Sequence, residues 1–308
     1  MTIQQMEYIV AVDTYRHFVK AAESCGVSQS TLSMMIKKVE EELDTPIFDR
    51  DAHPIRPTTA GEKIIAQMKV VLFNTEQIKE MSASEKALSS GDVHLAMIPT
   101  VASDLVPQLF LEMQRDCPEI RLHAYEIQTC DILEKLKKAE IDIAIMATPL
   151  NFSGTYEIPL YYEKLVAYVS PSDPLYASRT ITSGDIPCKR MWTLKSGNCM
   201  RDQIFRMCKE SSTYTARYEA GNIDTLVRIV DANGGFTIIP ELHLNYLSET
   251  QKQNVRDLVD PEVVREISLV IRTDFVRERI LNEVASAIKK VIPERMIDSS
   301  LKKFSIRL

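Results

Sequence analysis

The sequence predicts a small all-α domain with a winged helix-turn-helix, a long connecting helix, and a larger α/β part built from two similar units. Three observations predict it. Residues 18–50 read as a helical hairpin followed by a short strand pair. The stretch from Glu62 to Ser90 has neither glycine nor proline, and beyond Gly91 apolar strands alternate with helices. A chain of 308 residues, 45% hydrophobic and 26% charged, is long enough for two or three globular domains. No apolar run approaches the roughly 18 residues of a membrane helix. The start MTIQQMEYIVAVD carries Glu7 and Asp13 without a basic region, so it is not a secretory signal. A cytoplasmic protein with no membrane partner is therefore expected, in a reducing compartment that disfavours a static disulfide framework. The cysteines (Cys25, Cys117, Cys130, Cys188, Cys199 and Cys208) form no C-x-x-C, and the five histidines are dispersed, so no metal and no cofactor is expected.

The first helix opens with a capping box, Thr2 and Gln5, and Ile3, Met6, Ile9 and Val10 share one face. Ala21 and Ala22 let two helices approach closely, Gly26 supplies a tight turn, and Ser28 caps the next helix. There Leu32, Ile36, Val39 and Leu43 form the buried stripe. The opposite face presents Gln29, Ser30, Ser33, Met34, Lys37 and Lys38, short polar residues near the N-terminal end and cations for phosphate, as a recognition helix requires. A hairpin with a merely solvated polar face is the other reading of this stretch alone. PIFDRDAHPIRPTTAG then reads as a wing that puts Arg50 and Arg56 within reach of a DNA backbone. Residues 1–60 hold six Lys/Arg against nine Asp/Glu, which predicts weak non-specific affinity and reliance on specific contacts and dimerisation. Thr59 and Glu62 read as a second capping box. Ile64, Met68, Val71, Thr75 and Ile78 continue as a heptad-like seam on a helix of about 40 Å, read as a dimer helix, with packing on its own domain as the alternative.

Further on, GDVHLAMIPT reads as a strand, Asp104–Arg115 as a helix, Ile120–Tyr125 as a strand, the residues after Thr129 as a helix and Ile141–Ala147 as a strand. The pattern resumes with MWTL, a helix near Met200–Lys209, YTARYEA, a helix near Ile223–Ala232, GGFTIIP, EISLVIR and a last helix over Phe275–Val291. This alternation argues a mostly parallel sheet covered on both faces. The order of parts across the whole chain resembles LysR-type transcriptional regulators. Cys25 stands where that family usually has leucine, and Met34 where many relatives carry a polar or basic residue. The resemblance implies a winged helix-turn-helix DNA-binding domain at 1–58, a linker and dimerisation helix at 59–90, and a periplasmic-binding-protein-like regulatory domain at 91–308. In the latter, subdomain I spans about 91–162 and 267–308 and subdomain II about 163–266, with crossings near Glu163 and Glu266 and a cleft that is a ligand site by default.

SGNCMRDQIFRMC, Ser196–Cys208, allows three readings of its two thiols: packing, metal ligation or redox pairing. Gly197 and Asn198 form a turn, so Cys199 sits at a helix N-terminus with Arg201 two residues on, and both features favour a thiolate. A thiolate attacks peroxide to give a sulfenic acid that a second thiol resolves. On a continuous helix Cys199 and Cys208 are about 13.5 Å apart on opposite faces, whereas a disulfide needs Cα atoms within roughly 7 Å. Pairing them requires the helix to break.

The spacing G-x-C-x-R-D-Q-x-x-x-x-C resembles the redox loop of peroxide-sensing LysR-type regulators. The resemblance implies that Cys199 is the peroxidatic and Cys208 the resolving cysteine, with Arg201 and Asp202 matching the family's Arg-Asp. IPTV and QT resemble the segments whose threonines hold peroxide, which implies that role for Thr100 and Thr129; helix N-capping is the other reading of both. Asn198 and Tyr125 occupy positions where relatives carry histidine, so neither offers an imidazole base. Cys117, Cys130 and Cys188 receive no role. The implied function is a hydrogen-peroxide-sensing regulator of oxidative-stress genes, not an enzyme, with double-stranded promoter DNA, hydrogen peroxide, RNA polymerase and a thiol reductant such as glutaredoxin or thioredoxin as partners. It would act as a homo-oligomer, a dimer through the linker helix and a tetramer by family likeness. A LysR-type regulator answering a small metabolite in the cleft is the alternative. A thiol peroxidase has no use for the N-terminal ninety residues, and a solute-binding protein calls for a signal peptide.

Overall fold

The computed structural model describes residues 1–83, 91–150, 152–187, 191–207 and 219–297. Cys188, Cys208, and the expected helix and strand residues within 84–90 and 208–218 lie outside the described residues. The chain divides into two compact units, Met1–Ala87 with Lys137–Glu140, and Leu88–Leu136 with Ile141–Leu308.

In the first unit, α1 (Ile3–Tyr15), α2 (Phe18–Ser24) and α3 (Gln29–Glu42) surround a core of Ile9, Val12, Ala21, Ala22, Leu32, Ile36 and Val39. Thr2 and Gln5 form a reciprocal capping box on α1. Gly26, at φ +66°, makes the left-handed turn after α2, and Ser28 accepts the Thr31 N–H at 3.2 Å to start α3. Two stripe positions are corrected: Ile3 is exposed on the first turn of α1, and Leu43 is exposed because α3 ends before it. The wing is an antiparallel pair, β1 (Phe48–Asp49) and β2 (Arg56–Pro57), with Phe48 opposite Pro57. Its entry is fixed by Glu40, whose Oε1 accepts the N–H groups of Ile47 and Phe48 at 2.8 and 3.2 Å.

Helix α4 runs over Thr59–Ala83. Its cap is Thr58 rather than Thr59: the Thr58 hydroxyl accepts the Gly61 N–H at 2.9 Å and donates to Pro46 O at 2.8 Å, so the same residue ties the wing's return to the helix. Met68 and Ile65 are buried in the unit's core and Ile64 and Val71 pack against it, while Ile78, farther along, is 67% exposed.

In the second unit β3 (Gly91–Met97), β4 (Ile120–Glu126) and β5 (Ile143–Thr148) pair in parallel, with α5 (Pro99–Asp116) and α6 (Thr129–Lys137) as connections. Pro99 at the first helical position starts α5 earlier than the sequence reading, so that Thr100 falls inside its first turn. The sheet as a whole is mixed, not mostly parallel. β6 (Thr155–Val169) and β12 (Val264–Arg272) are antiparallel to each other, and β12 is antiparallel to β5. Beyond Lys164, β6 leaves β12 and lies between β10 (Phe236–Pro240) and β11 (Val255–Val259), both antiparallel to it. Strands that return between two halves of a sheet must run against their neighbours. The sequence reading saw only a crossing here, because Pro159 masks the strand. The ladder accommodates it with a register shift opposite Ile267 and Ser268. Two cores result. One is centred on β3, β5 and α5; the other contains Leu165, Tyr168, Phe236 and Ile239 together with α7 (Cys199–Met207) and α8 (Ile223–Asn233). Short β7 (Thr180–Thr182), β8 (Thr193–Leu194) and β9 (Glu219–Ala220), α9 (Glu249–Lys252), α10 (Glu278–Val291) and α11 (Glu294–Ile297) complete the described elements.

A Cβ at Gly61 would stand 2.0 Å from the Ile47 carbonyl oxygen, a backbone atom that cannot turn aside. Gly61→Ala is expected to destabilise the first unit by about 2 kcal/mol or more, measured as a loss of its thermal transition with the second unit's transition unchanged.

Candidate thiol site and nucleic-acid interface

Helix α7 starts at Cys199 because of the two residues before it. Gly197 has φ +89°, a left-handed conformation that favours glycine, and a Cβ there would lie 2.5 Å from the movable Gln128 Oε1. Asn198 is buried and its Oδ1 accepts the Met200 N–H at 3.0 Å, capping the helix. Its side chain serves the backbone at a position where the sequence reading noted the want of an imidazole. The first turn then straddles both cores: Cys199, partly buried, packs against the first, while Met200 and Ile204 belong to the second.

Three groups favour a negative charge on the Cys199 sulfur. The Arg265 guanidinium acts on it through its charge, and the Thr129 hydroxyl and the Met200 N–H, the latter also given to Asn198 Oδ1, support it as donors. Arg265, on β12, has no exposed surface. Its Nη2 lies 2.7 Å from Glu163 Oε2, and its Nε donates to the same oxygen at 2.9 Å. Nη1 donates to the Thr100 hydroxyl at 2.8 Å and Nη2 to the Thr100 carbonyl at 2.9 Å. Glu163 Oε1 accepts the Leu242 N–H at 3.0 Å. Thr100 is thus an acceptor inside α5 and Thr129 is the first residue of α6; the helix caps are Ile98 for α5 and, for α6, Gln128, whose carbonyl accepts the Ile132 N–H at 2.9 Å.

Burial is the largest influence on Cys199 and pushes its thiol above the ordinary range. Arg265, Thr129 and Met200 pull it back, and Asp202 on the exposed side of α7 adds to the upward push. The sequence reading gave the activating role to Arg201. In the structure Arg201 pairs with Glu219 at 3.0 Å and lies over the Phe205 ring at 5.3 Å, and Glu219 also accepts the Ser196 N–H at 3.3 Å. Arg201 therefore fastens α7 and its entry loop to β9, and the cation acting on the sulfur is Arg265. The sequence reading assigns no role to Arg265 or to the Glu163 charge, although a pair of adjacent charges inside an apolar strand (VVREISLV, LYYEKLV) is a signal, since a buried charge must be paired. Gln203, one turn after Cys199, is fully buried, and neither amide atom has a hydrogen-bond partner among the described residues.

Of the other thiols, Cys117 is buried, bonds to Glu283 at 3.3 Å and is pushed up to about 11 by burial and that carboxylate. Cys25 is partly buried and Cys130 exposed, and both are free. No group of three or more metal-ligating side chains and no helix long and apolar enough to cross a membrane occurs among the described residues.

In the first unit Gln29, Ser30, Met34, Lys37 and Lys38 are exposed along one face of α3, with Ser33 partly so. Arg56 is exposed on the wing. Arg50 is engaged already, paired with Glu40 at 2.9 Å and stacked over Phe18 at 5.7 Å. Lys37 has only an exposed i,i+4 pair with Glu41, which is worth little and leaves it available for phosphate.

Comparison with known proteins matches residues 3–62 to the bacterial regulatory helix-turn-helix family of lysR type and residues 86–292 to the LysR substrate binding domain. A hydrogen peroxide-inducible genes activator of Haemophilus influenzae is 32% identical over 94% of this chain and 96% of its own length. The DNA-binding transcriptional dual regulator OxyR of Escherichia coli K12 is 30% identical over 94% of this chain and 95% of its own. Among solved structures, full-length OxyR C199D from Pseudomonas aeruginosa superposes with a TM-score of 0.81 at 29% identity, covering 94% of this chain and 95% of that one.

Removing the hydroxyl at Thr129 takes one donor from the Cys199 sulfur. Thr129→Val is expected to move the pH midpoint of Cys199 alkylation upward by roughly half a pH unit to one unit, slowing alkylation at neutral pH. An unchanged midpoint would show that the hydroxyl contributes nothing to the thiolate.

Proposed function

The chain belongs to the LysR family of transcriptional regulators, and we propose that it is the family's hydrogen-peroxide-responsive kind, a cytoplasmic DNA-binding switch that is not a turnover enzyme. The observation that carries this reading is the convergence on one sulfur of Thr129, the Met200 N–H and the Arg265 charge, with Thr100 held by the same arginine. Each is a fixed donor or charge aimed at an anion.

The chemistry runs in two balanced steps. The Cys199 thiol gives its proton and attacks one peroxide oxygen; the O–O bond breaks, the thiol becomes a sulfenic acid, and the departing oxygen leaves as water. The Cys208 thiol then displaces hydroxyl from the sulfenic sulfur, forming the disulfide and a second water. Resting burial keeps Cys199 mostly a thiol, so the Arg265, Thr129 and Met200 contacts act when the proton leaves. Thr100 and Thr129 are the residues proposed to hold the peroxide. Asp202 lowers reactivity through its charge and, on the exposed side of the helix, is the open route for a proton.

The second step requires α7 to come apart. Buried polar atoms of Gln203 and the Arg201 Nη1 have no hydrogen-bond partner among the described residues, and a group left so costs about 1–3 kcal/mol. That makes the folded α7 easy to exchange for a disulfide-bonded arrangement. The remodelled unit would then alter how α3 and the wing engage promoter DNA, in an oligomer assembled through α4, whose Ile78 faces solvent. RNA polymerase and a thiol reductant complete the cycle as partners.

Peptide mapping after one equivalent of hydrogen peroxide, with free thiols trapped first, is the test. Trypsin cleaves after Arg201 and so separates the two cysteines. A dominant Cys199–Cys208 bridge is expected. Cys208→Ser should stop at a trappable sulfenic acid and lose the peroxide-dependent change in DNA footprint, and Cys199→Ser should lose both. Two unmodified thiols in the parent would overturn the reading in favour of a small metabolite as signal.

A further inference from the structure

The turn Glu241–Tyr246 after β10 carries a histidine that the peroxide chemistry leaves unused. His243 is 2% exposed. Its Nδ1 lies 3.2 Å from Asp104 Oδ1 on α5 and its Nε2 3.6 Å from Asp224 Oδ1 on α8. Both ring nitrogens face carboxylate oxygens. Nδ1 is within hydrogen-bond reach of Asp104, while Nε2 at 3.6 Å from Asp224 makes a charge contact only; an imidazolium is attracted to both carboxylates, a neutral ring serves only the first. Asp104 needs that partner, because it is buried and its Oδ2 has no hydrogen bond among the described residues. The groups facing the ring are Asp104 from α5, Asp224 from α8 and Tyr246 from its own turn, whose hydroxyl donates to the Asp104 carbonyl at 3.1 Å.

Asp104 lies one helical turn from Thr100, and its charge is felt at Glu163 and Tyr161. Arg265 faces Glu163 and the Cys199 sulfur, and an uncompensated Asp104 would add a further negative charge beside the Glu163 carboxylate that Arg265 must already balance. We propose that His243 is a positioning residue for Cys199: an imidazolium clamped between Asp104 and Asp224 that neutralises Asp104 and so leaves the Arg265 charge free to act on the sulfur. This rests on the reading of Cys199 as the reactive thiol.

The test is the pH profile of Cys199 alkylation by iodoacetamide in the full-length reduced protein, followed on the tryptic peptide Ser196–Arg201. In His243→Gln the midpoint should rise by roughly 0.5–1 pH, a three- to tenfold slowing below it. Asp104→Asn should lower the midpoint, and the double variant should return it to the parental position, a reversal that a merely structural histidine would not give. If His243→Gln does not fold, as judged by circular dichroism melting, Asp104→Asn and the double variant still decide the matter. A folded His243→Gln with the parental midpoint, an Asp104→Asn that leaves or raises it, or a double variant that does not return to the parental position overturns the proposal while leaving the peroxide reading intact. A parental Cys199 that neither alkylates nor oxidises overturns both.

Discussion

The second unit is organised by a guanidinium with no solvent around it. Arg265 on β12 meets Glu163 on β6, and its other donors are used by the hydroxyl and carbonyl of Thr100 on α5. Burial opposes charge on both members of the pair, and each offsets that for the other. Glu163 in turn holds the turn after β10 through the Leu242 N–H. Breaking such a pair by removing one partner costs about 3–5 kcal/mol, because the survivor is left charged and dry. The two long strands, the first turn of α5 and the post-β10 turn are therefore fixed together, and the Cys199 sulfur is brought to the one buried cation they share.

Helix α7 stands in contrast to this satisfied network. Its apolar face, Met200 and Ile204, is well buried in the second core, yet among the described residues the buried Gln203 amide has no partner and the Arg201 guanidinium is only partly satisfied by Glu219. In the proposed redox switch, the scaffold positions the chemistry and the element that would move is the less well paired one. Asn198 and Gly197 set where that helix begins. The glycine takes the left-handed turn, and the asparagine caps the backbone.

The first unit solves a different problem with few charges. Its wing is locked to α3 through Glu40, which accepts two backbone N–H groups and pairs with Arg50. One of the expected phosphate-reaching arginines is thereby used to stiffen the wing. The exposed face of α3 is left to short polar side chains, Met34 and two lysines.

Sequence alone determined the periodic parts: the buried stripe of α3, the caps at Thr2 and Ser28, the glycine turn, the alternation of strands and helices, and the cysteine spacing. These are local, and each follows from side-chain period or from the conformational limits of one residue. Tertiary structure decided what depends on distant chain segments meeting. It replaced Thr59 by Thr58 as the cap of α4, made the sheet mixed around β6 and β12, and turned Arg201 toward Glu219. It also delivered Arg265 and Glu163 to the thiol site from strands 66 and 36 residues away from Cys199. A charge in an apolar strand announces only that it needs a partner. Which partner it finds, and which sulfur feels the remaining charge, is settled by how the strands pair and by the low dielectric of the core in which they meet.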